Sequence, residues 1–590
     1  LSSSSAASDV YKRQEYRTLL PLVKKYTHFY LFGLLALVLT DAGELYIPQL
    51  VRRITNIITG PSFSLEAVGR LVLMMVGVAL LVAFFRFGWR YFIHGASRRI
   101  ERDLREQVFN HLLSLSNRFY QKMRTGDIMA RSSNDMRAIR MASGMALVAF
   151  IDGFFLSMAI LAILFSQFPK LALITIIPLP FITLIVLAGG KVIGRRFKLV
   201  QEGFSRLSEH VQETISGIRV VKSFVRESWV EDIFREKNND NLSRNMQLVR
   251  IWGLFFPLIT FISGLSLLFL LYFGGEAVIL GDFTPGDFMA FMSYLTMLRW
   301  PVMGMGFTIN MLQRGAASLE RINEILNERP DITSPPNAID DPPTGDLELR
   351  DMSFSYQPEE KPILSGISFT LPRGQTLGVL GRTGSGKTTL VKLLPRLLDP
   401  PPGTVFIGGR DVREYRLPTL RGSIGIVPQD SFLFSATIKD NLAFGDPDAE
   451  DERILRAAEV STISRELSTF PHGWQTEVGE RGLTLSGGQK QRVAISRAML
   501  IDPELLIFDD ALASVDAETE ESILSAFLET RKERTNILVA HRVSTLKHAD
   551  HIIVLDEGKI VQQGSHEQLV DEPGLYRDIY RLQLLSGGDL

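Results

Sequence analysis

Two glycine-rich turns, about a hundred residues apart, constrain this chain more than any other feature of its 590 residues. The first is Gly381-Arg-Thr-Gly-Ser-Gly-Lys-Thr-Thr389, of the form G-x-x-x-x-G-K-[ST]. It is entered from the apolar run Thr376-Leu-Gly-Val-Leu380 and leaves into Leu390-Val-Lys-Leu-Leu394. A strand before and a helix after are therefore expected, the setting in which such a loop turns its backbone N–H groups onto a phosphate. The second is Leu485-Ser-Gly-Gly-Gln489, just ahead of the helix-forming run that ends at Leu500. It offers N–H groups and a helix N-terminus to another anion.

A chain this long divides into more than one domain. Hydrophobic residues are 46% of it, unevenly spread. Up to about Met311 there are long apolar runs, and from about Gly345 onward the pattern is that of a soluble α/β domain. Six runs have the roughly 20-residue length that crosses a bilayer as a helix: residues 29–50, 71–92, 145–165, 171–190, 252–274 and 288–307. The formal charge of −1 gives no basic field to hold nucleic acid. With no cysteine, disulfides, thiol catalysis and cysteine metal sites are excluded. Residues 1–14 are rich in Ser and Ala, lack the apolar core of a signal peptide, and read as a non-native or disordered tail.

Loop charge orients the spans. The connection between the second and third carries ten Lys/Arg and that between the fourth and fifth carries twelve, whereas the fifth-to-sixth connection has only the acids Glu276, Asp282 and Asp287. The positive-inside rule puts both long connections and both termini in the cytoplasm. Neither long connection contains proline, so both read as helical extensions beyond the membrane. Three acids fall inside spans: Asp41, Glu44 and Asp152. Such acids serve a polar cavity that favours cationic cargo or a packing hydrogen bond, or else sit at the membrane interface.

A proline-dotted stretch over residues 326–345 reads as a linker between a membrane domain at 15–325 and an α/β domain at 346–583, with a short tail at 584–590. In the second domain the runs beginning at Leu347 and Ile367 read as strands. The run from Glu504 to Phe508 reads as a buried strand that places Asp509 at its carboxyl end, where α/β sheets gather ligand groups.

One chain with both turns resembles the ATP-binding cassette (ABC) exporters. Phe119-Tyr-Gln-Lys-Met-Arg-Thr-Gly-Asp127 and Glu213-Thr-Ile-Ser-Gly-Ile-Arg-Val-Val-Lys-Ser-Phe224 are similar to that family's two cytoplasmic loops, each tipped by a short coupling helix. The resemblance implies an exporter-type bundle of six spans followed by a P-loop ATPase domain, with ATP and Mg²⁺ as ligands. It implies that Tyr356 stacks on adenine. Gly381, Thr383, Gly384, Ser385, Gly386, Lys387, Thr388 and Thr389 are then the phosphate loop, with Lys387 a charge on the phosphates. Thr388, Asp509 and Gln429 hold the metal, and His541 contacts the γ-phosphate. Leu485, Ser486, Gly487, Gly488 and Gln489, with Asp516, serve a site completed across two chains. The segment 476–482 resembles one found in exporters.

One position departs from the family pattern. After Asp509 the family has Glu, the base that polarises the lytic water; here it is Asp510. Aspartate is one methylene shorter, and misplacement on that scale costs about 10²-fold in rate. Residues 508–516, Phe-Asp-Asp-Ala-Leu-Ala-Ser-Val-Asp, are close to subunits of bacterial heterodimeric multidrug-type exporters. That resemblance favours a second, different half-transporter chain as partner, with a homodimer as the alternative. It implies a slow site on this chain's own loop, and an intact Ser-Gly-Gly turn lent to the partner's fast one. The expected function is ATP-driven export of small, amphipathic or drug-like cargo across a bacterial cytoplasmic membrane. A lipid or peptide exporter, or an ATP-gated channel of the same architecture, is the alternative.

Overall fold

The computed structural model describes residues 18–585 apart from 62, 358–360, 480, 481, 483 and 484; the side chains of 183, 187, 191, 299, 300, 302, 303, 305 and 306 are not described. The expected tail at 1–14, most of that at 584–590, and Glu480 and Arg481 of the exporter-like segment lie outside the described residues. The chain forms two compact units. One contains the residues up to Ser114 together with Met123–Arg329; the other is Leu115–Lys122 with Pro330 onward.

Among its described residues the first unit is built of helices and their connecting turns. Among the described residues, five helices are long and apolar enough to cross a membrane: Thr27–Thr59, Leu65–Ser114, Thr125–Gln167, Pro169–Ser216 and Glu227–Leu280. The sixth expected span, 288–307, lies in the 43-residue helix Pro285–Asn327, part of whose side chains are not described. That helix starts on a capping box. Thr284 accepts the Asp287 N–H, and the Asp287 side chain returns to the Thr284 backbone. The long polar connections are helical, as their lack of proline allows. At their tips sit the short helices Asn117–Lys122 and Ile218–Ser223.

The fourth span departs from a single continuous helix. It runs as Pro169–Ile176 and Leu179–Ser216, with a break at Ile177 and Pro178. Pro178 and Pro180 remove two N–H donors and crowd the preceding turn, so the ladder parts there. π-Helical turns interrupt other long helices at Arg90–His94 and Leu270–Gly274. The buried heart of this unit joins Ile160, Ile182, Ile259, Phe291 and Tyr294. The Tyr294 hydroxyl donates to the Leu45 carbonyl at 2.8 Å and accepts from Gln49 at 3.0 Å. Glu44 is ion-paired with Arg86, and the Asp41 carboxyl is buried against that of Asp152.

The second unit is built on two sheets. Strands β1 (Leu347–Phe354), β2 (Leu364–Leu371), β4 (Val405–Ile407) and β5 (Arg410–Asp411) form an antiparallel sheet in the order β2-β1-β4-β5. Strands β3 (Thr376–Gly381), β6 (Ile424–Val427), β7 (Leu505–Asp509), β8 (Thr535–Val539), β9 (His551–Asp556) and β10 (Lys559–Gly564) form a second, in the order β10-β9-β3-β8-β7-β6. Within it β9, β3, β8, β7 and β6 run parallel. β3, β7 and β8 are buried along their whole length, the reason their sequences read as unbroken apolar runs rather than alternating ones. Helices cover one face, and the antiparallel sheet with the helix Lys387–Leu393 packs on the other, giving two cores. One is centred on Leu506, Phe508 and Phe527, the other on Val379, Ile507 and Ile553.

Candidate functional site

The carboxyl edge of the parallel sheet gathers most of the site. Gly381 ends β3 and Asp509 ends β7; Gln429 follows the end of β6 at Val427, and His541 follows the end of β8 at Val539. Because β3, β8, β7 and β6 are neighbours in register, residues far apart in sequence meet at one rim.

The loop after β3 turns sharply into the helix Lys387–Leu393. Gly384 and Gly386 have φ of +86° and +98°, the left-handed region that glycine adopts without a steric penalty. At Gly386 a Cβ would also stand 2.7 Å from Leu364 Cδ2 and 3.2 Å from the Ile363 carbonyl, so space and backbone conformation both select glycine. Thr383 is exposed on the loop. Lys387 Nζ donates to the carbonyls of Gly381 (2.8 Å) and Arg382 (3.0 Å) of its own loop. Burial pushes the lysine pKa down, against the pull of Asp510 and Asp509. Ser385 is buried, and its hydroxyl has no partner among the described residues. Such a hydroxyl, with glycines that leave the backbone open, fits a polyanion seated in the loop.

Thr388 Oγ1 donates to Asp509 Oδ1 at 3.1 Å, joining the loop to the end of β7. Burial raises the Asp509 pKa; the Thr388 hydrogen bond and the nearby lysines oppose it. A hydroxyl beside a buried carboxylate is a fitting oxygen donor set for Mg²⁺.

Asp510 has a φ of +53°, left-handed backbone that aspartate tolerates better than most residues, and its N–H is fixed by the Val539 carbonyl at 2.9 Å. Its carboxylate accepts from Gln429 Nε2 at 3.3 Å and lies 4.0 Å from His541 Nε2. Gln429, Asp510 and His541 thus form one cluster, with its contacts at the long end. Tyr356 packs edge-on to Phe354, and its hydroxyl is 3.2 Å from Thr389 Oγ1, which brings it to the loop.

The second turn is separate. Ser486 caps the helix Gly487–Ile501 in a capping box: its hydroxyl accepts the Gln489 N–H at 3.2 Å, and Gln489 Oε1 accepts the Ser486 N–H at 2.9 Å. Among the described residues, no hydrogen bond or ion pair joins Leu485, Ser486, Gly487, Gly488 or Gln489 to the phosphate loop. Asp516 caps the helix Ala517–Thr530, accepting from Thr519 N at 2.9 Å, and the Thr519 contacts lower its pKa.

Sequence reasoning missed three supports. Glu466 accepts from Gln489 Nε2 (2.7 Å) and pairs with Arg492, bracing the second turn. Gln491 accepts the Ser514 N–H at 3.0 Å, tying that turn to the loop before Asp516. Gln583 holds the backbone around His541. Each acts through long-range contacts, which no spacing announces.

A helical membrane unit followed, in the same chain, by a phosphate-loop domain with its own Ser-Gly-Gly turn is the make-up of a subunit of an ATP-driven membrane exporter. The chain belongs to the ABC transporter family: residues 30–302 match the ABC transporter transmembrane region and residues 364–513 the ABC transporter domain. It is 36% identical over 563 residues to the probable multidrug resistance ABC transporter ATP-binding/permease protein YheI of Bacillus subtilis (strain 168), covering 95% of this chain and 96% of that one. It is 33% identical over 517 residues to an ATP-dependent lipid A-core flippase of Desulfotalea psychrophila, covering 87% of this chain and 90% of the flippase. The structure of a bacterial Atm1-family ABC exporter with ATP bound superposes with a TM-score of 0.77 at 27% identity, over 94% of this chain and 98% of that one. The chain is accordingly an exporter half-transporter. It is a multi-pass membrane protein of a family that works as dimers, and its ATPase domain is of the kind that uses ATP with Mg²⁺.

Proposed function

We propose that this chain is one half of a heterodimeric exporter of small amphipathic, drug-like molecules, with a slow ATP site on its own phosphate loop. Asp510 carries the reading. It stands at the end of β7 where the family's base stands, and it touches Gln429 and His541 only at long range. Its side chain is one methylene shorter than glutamate's, so the carboxylate stands back from the lytic water. The rest of the machinery is complete. The N–H groups of residues 384–388 and Lys387 bind the phosphates. Tyr356 offers its ring to adenine, and His541 contacts the γ-phosphate. Thr388, Asp509 and Gln429 are the residues that would hold Mg²⁺, which supplies neutralising charge to the phosphate oxygens. Leu485–Gln489 and Asp516 face the partner chain and complete its site.

Export needs the two membrane-facing states to bind ATP unequally, since a ligand with no preference shifts nothing. Positive-inside charge supports placing both long loops and both termini in the cytoplasm, with the spans in the bacterial cytoplasmic membrane. The similarity to a lipid A-core flippase supports a second reading, in which the cargo is an amphipathic lipid. Transport of a dye against transport of a fluorescent lipid in inverted vesicles separates the two.

The heterodimer is tested at Asp510. In the complex purified with its partner, Asp510→Ala is expected to leave phosphate release within about twofold of the parent, whereas changing the partner's base abolishes it. Fast hydrolysis by this chain alone as a homodimer, lost on Asp510→Ala, contradicts the assignment. Gly386→Ala is expected to weaken ATP binding to this chain's loop by about tenfold or more, because the strain of φ +98° and the contact with Leu364 must be relieved first. Titration with a fluorescent ATP analogue reads that loss.

A further inference from the structure

The geometry points to Gln583 as a positioning residue for His541. The proposal rests on the reading of His541 as the γ-phosphate contact. His541 lies in the short connection between β8 and the helix Val543–Leu546, and its side chain is 43% exposed. A side chain on such a connection is no better placed than the backbone that carries it. Gln583 fixes that backbone from the C-terminal helix Leu575–Leu585. Its Nε2 donates to the His541 carbonyl at 2.7 Å, and its Oε1 accepts the Val543 N–H at 2.9 Å. One amide therefore spans the residues on either side of Arg542. A carboxamide carries a neutral donor and acceptor side by side on one planar group, and the longer reach of Gln over Asn suits a contact from a neighbouring helix.

The opposite side of the same connection is also held. Arg542 donates to Glu520 Oε2 at 2.6 Å, and Thr545 hydrogen-bonds to Glu520 Oε1. Glu520 is buried and sits one turn into the helix that Asp516 caps. With Arg542 anchored there, Gln583 adds the bonds that hold the His541 carbonyl and the Val543 N–H on either side of it. The helix that bears Gln583 is itself seated firmly. Tyr576 is fully buried, with its hydroxyl 2.7 Å from His566 Nδ1 and its N–H bonded to Gln562 Oε1 at 3.1 Å. A cleft of about 250 Å³, lined by Asp510, Glu520, His541 and Arg542 among others, opens beside the histidine and leaves it room to swing if the clamp is lost. Gln583 touches no reacting atom in this scheme. It sets where His541 stands when the phosphate arrives.

The test uses the full-length exporter purified with its partner chain in lipid nanodiscs. Asp510→Glu restores a full-length base to this chain's own site and the partner's base is changed to glutamine, so that the hydrolysis measured is that of this site alone. ATP hydrolysis is measured for Gln583→Ala, for the isosteric Gln583→Glu, for His541→Ala, and for each Gln583 change combined with His541→Ala. Gln583→Glu keeps the acceptor for Val543 and loses the donor to His541, so it isolates the second bond. Both Gln583 variants are expected to lower kcat about tenfold with KM for ATP within about twofold, and to add nothing once His541 is alanine. Gln583 variants that match the parent, or whose losses multiply with that of His541→Ala, overturn the proposal. So does a loss that follows a raised KM or a lowered unfolding midpoint. If His541→Ala itself changes nothing, His541 is not at the phosphate, and the reading beneath the proposal falls with it.

Discussion

Replacing Ser486 by arginine is expected to cut the ATPase rate of the assembled exporter roughly 100-fold while the ATPase domain stays folded. The two effects come from different links. Locally, the change removes the hydroxyl that accepts the Gln489 N–H at 3.2 Å, a helix cap worth about 1 kcal/mol. The helix behind it, Gly487–Ile501, is held by far more than its cap: Val493, Ala494, Ile495, Ala498, Met499 and Leu500 are buried. Glu466 pairs with Arg492 from the side. Functionally, among the described residues the turn makes no hydrogen bond or ion pair to its own phosphate loop, and in the proposed heterodimer its N–H groups serve a nucleotide held by the other chain. A bulky cation there blocks that approach and spoils the donors that preorganise charge at the reacting phosphate. Phosphate release in nanodiscs reads the rate, and the thermal midpoint reads the fold. Ser486→Asn, which keeps a good cap, is the control for helix stability. Set beside the small effect expected of Asp510→Ala, the result defines the asymmetry: this chain is expendable as a base and essential as a lid. Equal losses from both changes would mean that the chain's own site is the productive one.

What the sequence announced and what it concealed divide along a physical line. Contiguous motifs were legible because their chemistry is local. The loop from Gly381 to Thr389 and the turn from Leu485 to Gln489 each carry their own glycines, anion donors and following helix. Asp509 was read from the end of a buried apolar strand, whereas Gln429 and His541 came only from the family resemblance; the parallel strands bring all three to one rim. The membrane half was legible through the length of its apolar runs, five of which fall in helices able to span a bilayer. The rest depended on events that leave no periodic trace. The break at Ile177 and Pro178 had a proline to mark it, but the run around it is apolar throughout and reads as one span. The left-handed φ of Asp510 arises from the strand-end hydrogen bond to Val539, not from a glycine. Glu466, Glu520 and Gln583 are single polar side chains whose partners lie 20 or more residues away, fixed by tertiary packing alone.

Arg531→Met is expected to destabilise the ATPase domain by about 3–5 kcal/mol, lowering its unfolding midpoint by about 10 °C. Arg531 is 1% exposed, the largest fully buried side chain described. Burial pushes its pKa down to about 10, so it stays charged at neutral pH and needs every partner it has. Its guanidinium donates to Asn536 Oδ1 at 2.9 Å, Asp502 Oδ1 at 3.1 Å and the Pro503 carbonyl at 2.7 Å. These three tie together the end of the helix Gly487–Ile501, the entry to β7 and the start of β8. Methionine fills much of the volume, so the cost is chiefly polar: buried acceptors on Pro503 and Asn536 lose their donor at about 1–3 kcal/mol each. Asp502 itself is largely exposed and rehydrates when the arginine goes. Arg534 supplies the contrast. It pairs with Asp502 and Glu504 from a more exposed position, so Arg534→Ala is expected to cost only about 1 kcal/mol. The difference reaches the site because the restrained segment leads directly into β7, whose far end carries Asp509 and Asp510. A looser entry gives a less exact rim. Arg531→Met should therefore weaken ATP binding to this chain's own loop below the unfolding temperature as well as lower the midpoint itself, and a variant that melts early yet binds a fluorescent ATP analogue with the parent affinity would show that the cluster holds the domain together without setting its nucleotide-binding edge.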